Sequence, residues 1–258
     1  MFLFNGWRQK LRKKDAPYMV KAGRLVGATL EHISQFVKPG ITTNEIDRIV
    51  HDFTLTHGGT PAPLNYKGFP KSVCTSVNDC LCHGVPNDAV LKDGDLINID
   101  VTTILDGYYA DASHTFKVGS TTEEAQRLCD IAKDARDKGI DVIQPGETTG
   151  TIGSVVENFV NSTPFHICKE IGGHGIGKVF HGEPFVPSYG VPGQGAKLTP
   201  WSCITVEPIV NQTSAKFVEV PIEGSDITYF LMQDGSLSAQ FEHTILITDT
   251  GHEVLTLW

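Results

Sequence analysis

The stretch INIDVTTILDGYYADASHTF, residues 97–116, sets two carboxylates into what otherwise reads as a buried β-hairpin. Asp106-Gly107 joins two β-rich runs, and a two-residue type I′ turn demands positive φ at both central positions, which Asp-Gly accepts readily. With those two residues as the loop, Leu105 pairs with Tyr108, Thr102 with Asp111 and Asp100 with Ser113. Asp100 and Asp111 then share one sheet face as diagonal neighbours, within reach of a common ligand. Ile97, Ile99 and Val101 take the opposite face and are expected to pack on a core. Two carboxylates side by side repel each other and lose hydration, so both stay ionised only when something cationic joins them. On the hairpin alone, solvent-facing acids and ligand acids stand as equal readings.

The rest of the composition narrows the choices. The chain has 258 residues, room for one large domain or two small ones, and at 40% hydrophobic and 20% charged it is a globular sequence. No apolar run approaches the length of a membrane span. The start, MFLFNGWRQKLRKK, places a very short apolar patch before its charges, the reverse of a secretory signal. Six cysteines without regular spacing suggest a reducing compartment, so a cytoplasmic protein is expected. Cys80-Leu81-Cys82-His83 resembles half of a zinc site, but no second Cys/His pair stands at a suitable spacing to complete it. A net charge of −9 disfavours a nucleic-acid-binding body. The basic arm over residues 1–14, with Arg8, Lys10, Arg12, Lys13 and Lys14, reads as a solvated terminus or as a transient contact for an anionic partner such as the ribosome.

An internal repeat organises the chain. KPGITTNEIDRIVHDF from Lys38 and QPGETTGTIGSVVENF from Gln144 align without a gap. Each reads as a Pro-Gly turn, a Thr as N-cap candidate, then apolar residues at helical spacing. An amphipathic helix precedes each, roughly Val20 to Phe36 and Glu123 to Ile140, and Gly- and Pro-punctuated β-sequence follows each. CHGV at 82–85 echoes GHGI at 173–176, and DGDLINID ending at Asp100 echoes PWSCITVE ending at Glu207. Asp111 is answered by Glu242 in SAQFEHTILIT. Two similar α-then-β halves, 15–118 and 119–258, are therefore expected within a single domain over 15–258. If they meet about a pseudo-twofold axis, four acids converge at the centre.

The second half adds His174, in a glycine-rich bend whose backbone can turn sharply and approach neighbours closely. A lone histidine is more often a satisfied core or surface residue, but this one stands beside strands that end in acids. One imidazole and four carboxylates suit two divalent ions, and the oxygen-rich set favours Mn²⁺, Fe²⁺ or Co²⁺, with Zn²⁺ also accommodated. Two such ions can share a water, lower its pKa and clamp an attacked carbonyl.

KPGITTNEID, FPKSVCTSVND with CHGVP, the hairpin, GGHGIGKVFHGEP, ITVEPIV and SLSAQFEHTILIT together resemble the type I methionine aminopeptidases. The resemblance runs over nearly the whole chain from about Ala22. It implies an α+β pita-bread fold (creatinase/aminopeptidase-like), with antiparallel sheet around a dinuclear site. It also implies metal ligands at Asp100, Asp111, His174, Glu207 and Glu242. By the same resemblance His181 stabilises the tetrahedral oxyanion, His83 meets the scissile amide nitrogen, and Glu207 shuttles the proton. Tyr66, Phe69, Cys74 and Phe180, with His83 and His181, would contact a methionine side chain and its peptide bond. The implied activity is release of the initiator methionine from nascent polypeptides and peptides when the second residue is small, by a monomer. One departure stands out: relatives often carry a pocket tryptophan upstream of SLSAQ, where this chain has SDITYFLMQDG, so that wall falls near Thr228 or Tyr229.

Two other readings share these features. A proline-directed aminopeptidase of the same fold would use the same five ligands but usually carries a large N-terminal domain. The first repeat helix here begins by about residue 20, and the short gap between His181 and Glu207 leaves little space for the helical insert of the type II enzymes. A catalytically inactive partner-binding relative would typically have lost ligands, and none of the five is substituted.

Overall fold

The computed structural model describes residues 11–258. Arg8 and Lys10 of the basic arm lie outside the described residues. Among the described residues, four α-helices and fifteen short to medium strands are arranged as α1 (Ala16–Ser34), α2 (Thr43–Thr56), then β-structure, then α3 (Glu123–Asp141), α4 (Thr149–Asn161) and β-structure again. The first helix starts four residues before the expected Val20 because Pro17 suits the first helical turn, where its missing N–H costs nothing. Thr42 caps α2 by accepting from the Glu45 amide at 3.1 Å while Glu45 accepts from the Thr42 amide at 2.8 Å, a reciprocal cap.

The hairpin forms in the expected register, with Leu105 opposite Tyr108, Thr102 opposite Asp111 and Asp100 opposite Ser113. Asp106 and Gly107 turn at φ 52° and 81°. Ile97, Ile99 and Val101 bury their faces against α1 residues Val26, Leu30 and Ile33 in one apolar cluster, so the acids are left on the other face. The strand Leu96–Leu105 also pairs with Cys74–Val77 and Thr60–Pro61.

The repeat is visible in the backbone. Gly40 N–H donates to Leu91 and Leu91 N–H to Ile41; Gly146 donates to Leu198 and Leu198 to Glu147 in the same pattern. Thr43 donates to Ala89 and Asn44 to Asn87, and again Thr149 donates to Ala196 and Gly150 to Gln194. Each Pro-Gly turn thus pins its helix start to the chain leading into an acid-bearing strand. In the second half those strands belong to a five-stranded sheet ordered His252–Val254, His243–Ile247, Cys203–Val206, Gly173–Ile176, Gly182–Val186.

Polar bonds join the two β-regions. The Asp111 amide donates to Thr244 Oγ1 at 3.0 Å, the Glu242 amide to the Ser113 carbonyl at 3.0 Å, and the Gln240 amide to Thr115 Oγ1 at 3.0 Å. Among the described residues no helix is long and apolar enough to cross a membrane.

Candidate active site

Every expected site residue faces one cavity: Tyr66, Phe69, Cys74, His83, Asp100, Asp111, His174, Phe180, His181, Glu207 and Glu242 all line it. They arrive from separate elements. Asp100 and Asp111 come from the hairpin, His174 from the strand Gly173–Ile176, and Glu207 from just beyond Cys203–Val206. Glu242 comes from just before His243–Ile247.

Glycines let the His174 strand sit deep. A Cβ at Gly173 would strike the Thr205 carbonyl and one at Gly175 the Glu183 carbonyl. The close packing delivers His174 Nε2 to 3.8 Å from Asp111 Oδ2 and 3.6 Å from Glu207 Oε1. His174 Nδ1 lies 3.1 Å from the Gly175 carbonyl, which can only accept, so Nδ1 carries the proton and Nε2 offers its lone pair to the cluster. Burial holds this imidazole's pKa down to about 4, so it is neutral, as a metal ligand must be.

The carboxylates are held by small polar neighbours. Thr102 Oγ1 donates to Asp111 Oδ1 at 2.8 Å, Thr205 Oγ1 to Glu207 Oε1 at 2.7 Å, and Gln240 Nε2 to Glu207 Oε2 at 3.1 Å. Asp100 Oδ1 and Glu242 Oε1 are buried without a hydrogen-bond partner. Burial raises all four acids: Asp100 to about 6, Glu207 to about 8, and Asp111 and Glu242 well above the usual carboxylate value, the last three also through the charge of their acidic neighbours. Acids in that setting are ionised together only with cations among them. Asp111, His174 and Glu242 place ligand atoms within 4.8 Å of one another. The donor set and the orphaned oxygens therefore fit divalent metal.

The other two histidines are neutral as well, since burial lowers both. His83 adopts φ 58°, an uncommon left-handed conformation for a residue with a side chain. Its Nδ1 donates to the Thr228 carbonyl at 3.0 Å, so its Nε2 is an acceptor. His181 Nδ1 lies 3.0 Å from the Tyr66 hydroxyl. Its ring stacks on Phe180, with centroids 4.0 Å apart, and Phe180 leans on Tyr66 at 4.9 Å.

Phe69, Cys74 and Ile222 form a small apolar cluster behind the cavity, with Ile227 and Tyr229 packed against it. In the segment upstream of SLSAQ, Ile227 lines the cavity, whereas Thr228 and Tyr229 do not. Cys80, Leu81 and Cys82 form a buried strand in which Cys80 Sγ donates to the Cys82 carbonyl, and neither cysteine joins the metal-ligating group. Thr102, Thr205 and Gln240 stand outside the site residues expected from the sequence. Each had a signal, because Thr102 faces Asp111 across the hairpin while Thr205 and Gln240 stand two residues before an acidic ligand candidate.

Carboxylates and one neutral imidazole at the base of an apolar slot define a metal-dependent hydrolase centre. Residues 17–249 match the model of metallopeptidase family M24, and the chain belongs to that family. It is 44% identical over 245 residues to a methionine aminopeptidase of Rickettsia prowazekii, covering 95% of this chain and 93% of that one. It is 42% identical over 248 residues to methionine aminopeptidase A of Synechocystis, covering 96% of each. The crystal structure of the Rickettsia prowazekii methionine aminopeptidase superposes with a TM-score of 0.93 at 43% identity, over 97% of this chain and 100% of that one. A prolidase from Pyrococcus horikoshii shares the fold at a TM-score of 0.74 and 22% identity, with 62% of its length covered. The fold is thus the α+β pita-bread architecture expected.

Proposed function

We propose that this chain is a metal-dependent aminopeptidase that releases the initiator methionine from nascent proteins and peptides whose second residue is small. The observation that carries this reading is a single cavity lined by four carboxylates, one neutral imidazole ligand, two further neutral histidines and an apolar slot.

Asp100, Asp111, His174, Glu207 and Glu242 are the residues that hold metal. Four carboxylates around a neutral imidazole match the charge of two divalent ions, and the oxygen-rich set favours Mn²⁺, Fe²⁺ or Co²⁺ over Zn²⁺. When bound, the metals supply Lewis acidity and make water nucleophilic near neutral pH.

The remaining chemistry belongs to the side chains. Tyr66, Phe69, Cys74 and Phe180, with Ile227, enclose the methionine side chain, and a polarizable thioether suits such walls. The two histidines offer opposite hydrogen-bonding faces to a peptide bond. His83 Nε2 accepts from the scissile N–H. His181, when the Tyr66 hydroxyl donates to its Nδ1, presents Nε2–H to the carbonyl oxygen and to the oxyanion that develops there. Burial holds the Tyr66 phenol in its protonated, donor-competent form. Glu207 takes the proton of the attacking water and returns it to the leaving amine.

The same reading makes residues 15–258 one catalytic domain of two repeated halves, acting as a cytoplasmic monomer. The basic segment Arg8, Lys10, Arg12, Lys13, Lys14 would face the ribosome. Arg12 and Lys14 are exposed, whereas Lys13 is already paired with Asp249 at 3.3 Å. The intact ligand set and the relatives' coverage favour methionine release over proline-directed hydrolysis or an inactive partner-binding role.

The test is methionine release from Met-Ala-Ser and Met-Leu-Ser peptides after metal removal and after readdition of Mn²⁺, Fe²⁺ or Co²⁺. Metal-dependent release from Met-Ala-Ser alone is expected. Absence of release at full metal occupancy overturns the proposal.

A further inference from the structure

We infer that Asp15, Tyr108 and Lys178 form a positioning knot that holds the Gly177–His181 loop, and with it Phe180 and His181, in place against the site. The inference rests on the proposed catalytic role of that loop and goes beyond it, since none of the three residues lines the cavity.

The three residues are distant in sequence and meet at one carboxylate. Asp15 stands just before α1 and is 3% exposed. Its Oδ1 accepts from the Tyr108 hydroxyl at 2.5 Å and pairs with Lys178 Nζ at 3.2 Å, while Oδ2 accepts from the Arg12 amide at 2.8 Å. The Lys178 ammonium also lies 5.2 Å from the centroid of the Tyr108 ring. Tyr108 is fixed in turn by stacking on Tyr18, at 5.1 Å and 7°. A buried carboxylate with charge-assisted partners has one favourable arrangement, because losing a partner leaves an uncompensated charge.

Lys178 carries that constraint into the loop. Beside it, the Tyr109 amide donates to the Gly177 carbonyl at 2.6 Å, and the Tyr109 ring stacks on Phe180 at 5.9 Å and 20°. Phe180 stacks on His181. Tyr108 and Tyr109 are adjacent on a strand and so point to opposite faces. One ties the loop to Asp15, and the other supports the aromatic wall. The strands flanking the loop are short and change register between His174 and Gly175, so side-chain anchors matter to where the loop settles. Where reacting groups must be held in place, a displacement of about 1 Å can cost about 10²-fold in rate.

Lys178→Met removes the tether at a half-exposed side chain and leaves the metal ligands untouched. Expected are normal metal stoichiometry, a fall of about tenfold in kcat on Met-Ala-Ser, and faster hydrogen exchange of the Gly177–His181 amides with the Leu96–Leu105 strand unchanged. Lys178→Arg, which keeps a cation in reach of Asp15, should restore most of the rate and the protection. Tyr108→Phe should act in the same direction as Lys178→Met and serves as the second variant. Wild-type kcat in Lys178→Met, or unchanged loop exchange, overturns the knot. A wild-type enzyme that releases no methionine at full metal occupancy counts instead against the proposed function, and the exchange measurement then still decides the knot.

Discussion

The Tyr66 hydroxyl lies 3.0 Å from His181 Nδ1, joining residues 115 positions apart in the sequence. A hydroxyl that donates there leaves the imidazole's proton on Nε2. Tyr66→Phe keeps the aromatic wall but removes that bias and the anchor. We expect kcat to fall about tenfold, typical for loss of a partner that orients a working histidine, with KM little changed. A steady-state comparison on Met-Ala-Ser checks this, and a raised KM with unchanged kcat would make Tyr66 a pocket residue alone.

Glu207→Gln preserves size and one coordinating oxygen but loses charge and basicity. The variant should fold, bind metal more weakly and lose more than about a hundredfold in kcat. Near-normal turnover at full metal occupancy would remove Glu207 from the proton pathway.

His181→Ala should leave metal content intact and lower kcat by about 10²–10³, as for loss of an oxyanion donor. Metal analysis distinguishes this from ligation, because stoichiometric loss of an ion would make His181 a ligand.

Substrate choice tests the slot. Norleucine should replace methionine at a modest loss, since one side-chain group is worth roughly 10–200-fold in an apolar pocket. Gly, Ala or Ser should be accepted as the second residue and Leu, Lys or Phe rejected, with Thr and Val intermediate because Ile227 is smaller than a tryptophan. Comparable kcat/KM for Met-Ala-Ser and Met-Phe-Ser would contradict this.

Away from the cavity, His114 packs among Phe116, Phe241 and Trp258 at 4.6, 4.7 and 4.9 Å. Burial, aided by the charge of Arg136, lowers its pKa to about 3. Between there and the unfolded value of about 6.5 the unfolded chain binds the extra proton, so His114 makes stability fall as pH drops through that window. His114→Phe should lose less stability than wild type across it, by at most about 1.4 kcal/mol per pH unit. Urea unfolding of the metal-free chain from pH 7 to 4 would show parallel losses if His114 were not responsible.

The hairpin register was legible in the sequence because a two-residue Asp-Gly turn and a side-chain period of two leave one pairing that buries Ile97, Ile99 and Val101. The repeat was legible because each Pro-Gly-capped helix start recurs with its own motif, and the convergence of Asp100, Asp111, Glu207 and Glu242 followed from it, while His174 stood out by its glycine-rich bend. Tertiary structure alone decided what depends on contacts between distant segments. The tautomer of His83 is set by a carbonyl at Thr228, and His181 meets a hydroxyl at Tyr66, groups that no local spacing reveals. The wall at Ile227 depends on how the Thr228–Met232 strand, irregular between Phe230 and Leu231, lies against Cys80–Cys82. Asp15 reads locally as a helix-start acid and Lys178 as a surface cation. Only folding brings them to Tyr108, because a buried charge is satisfied by whichever partner the packing delivers.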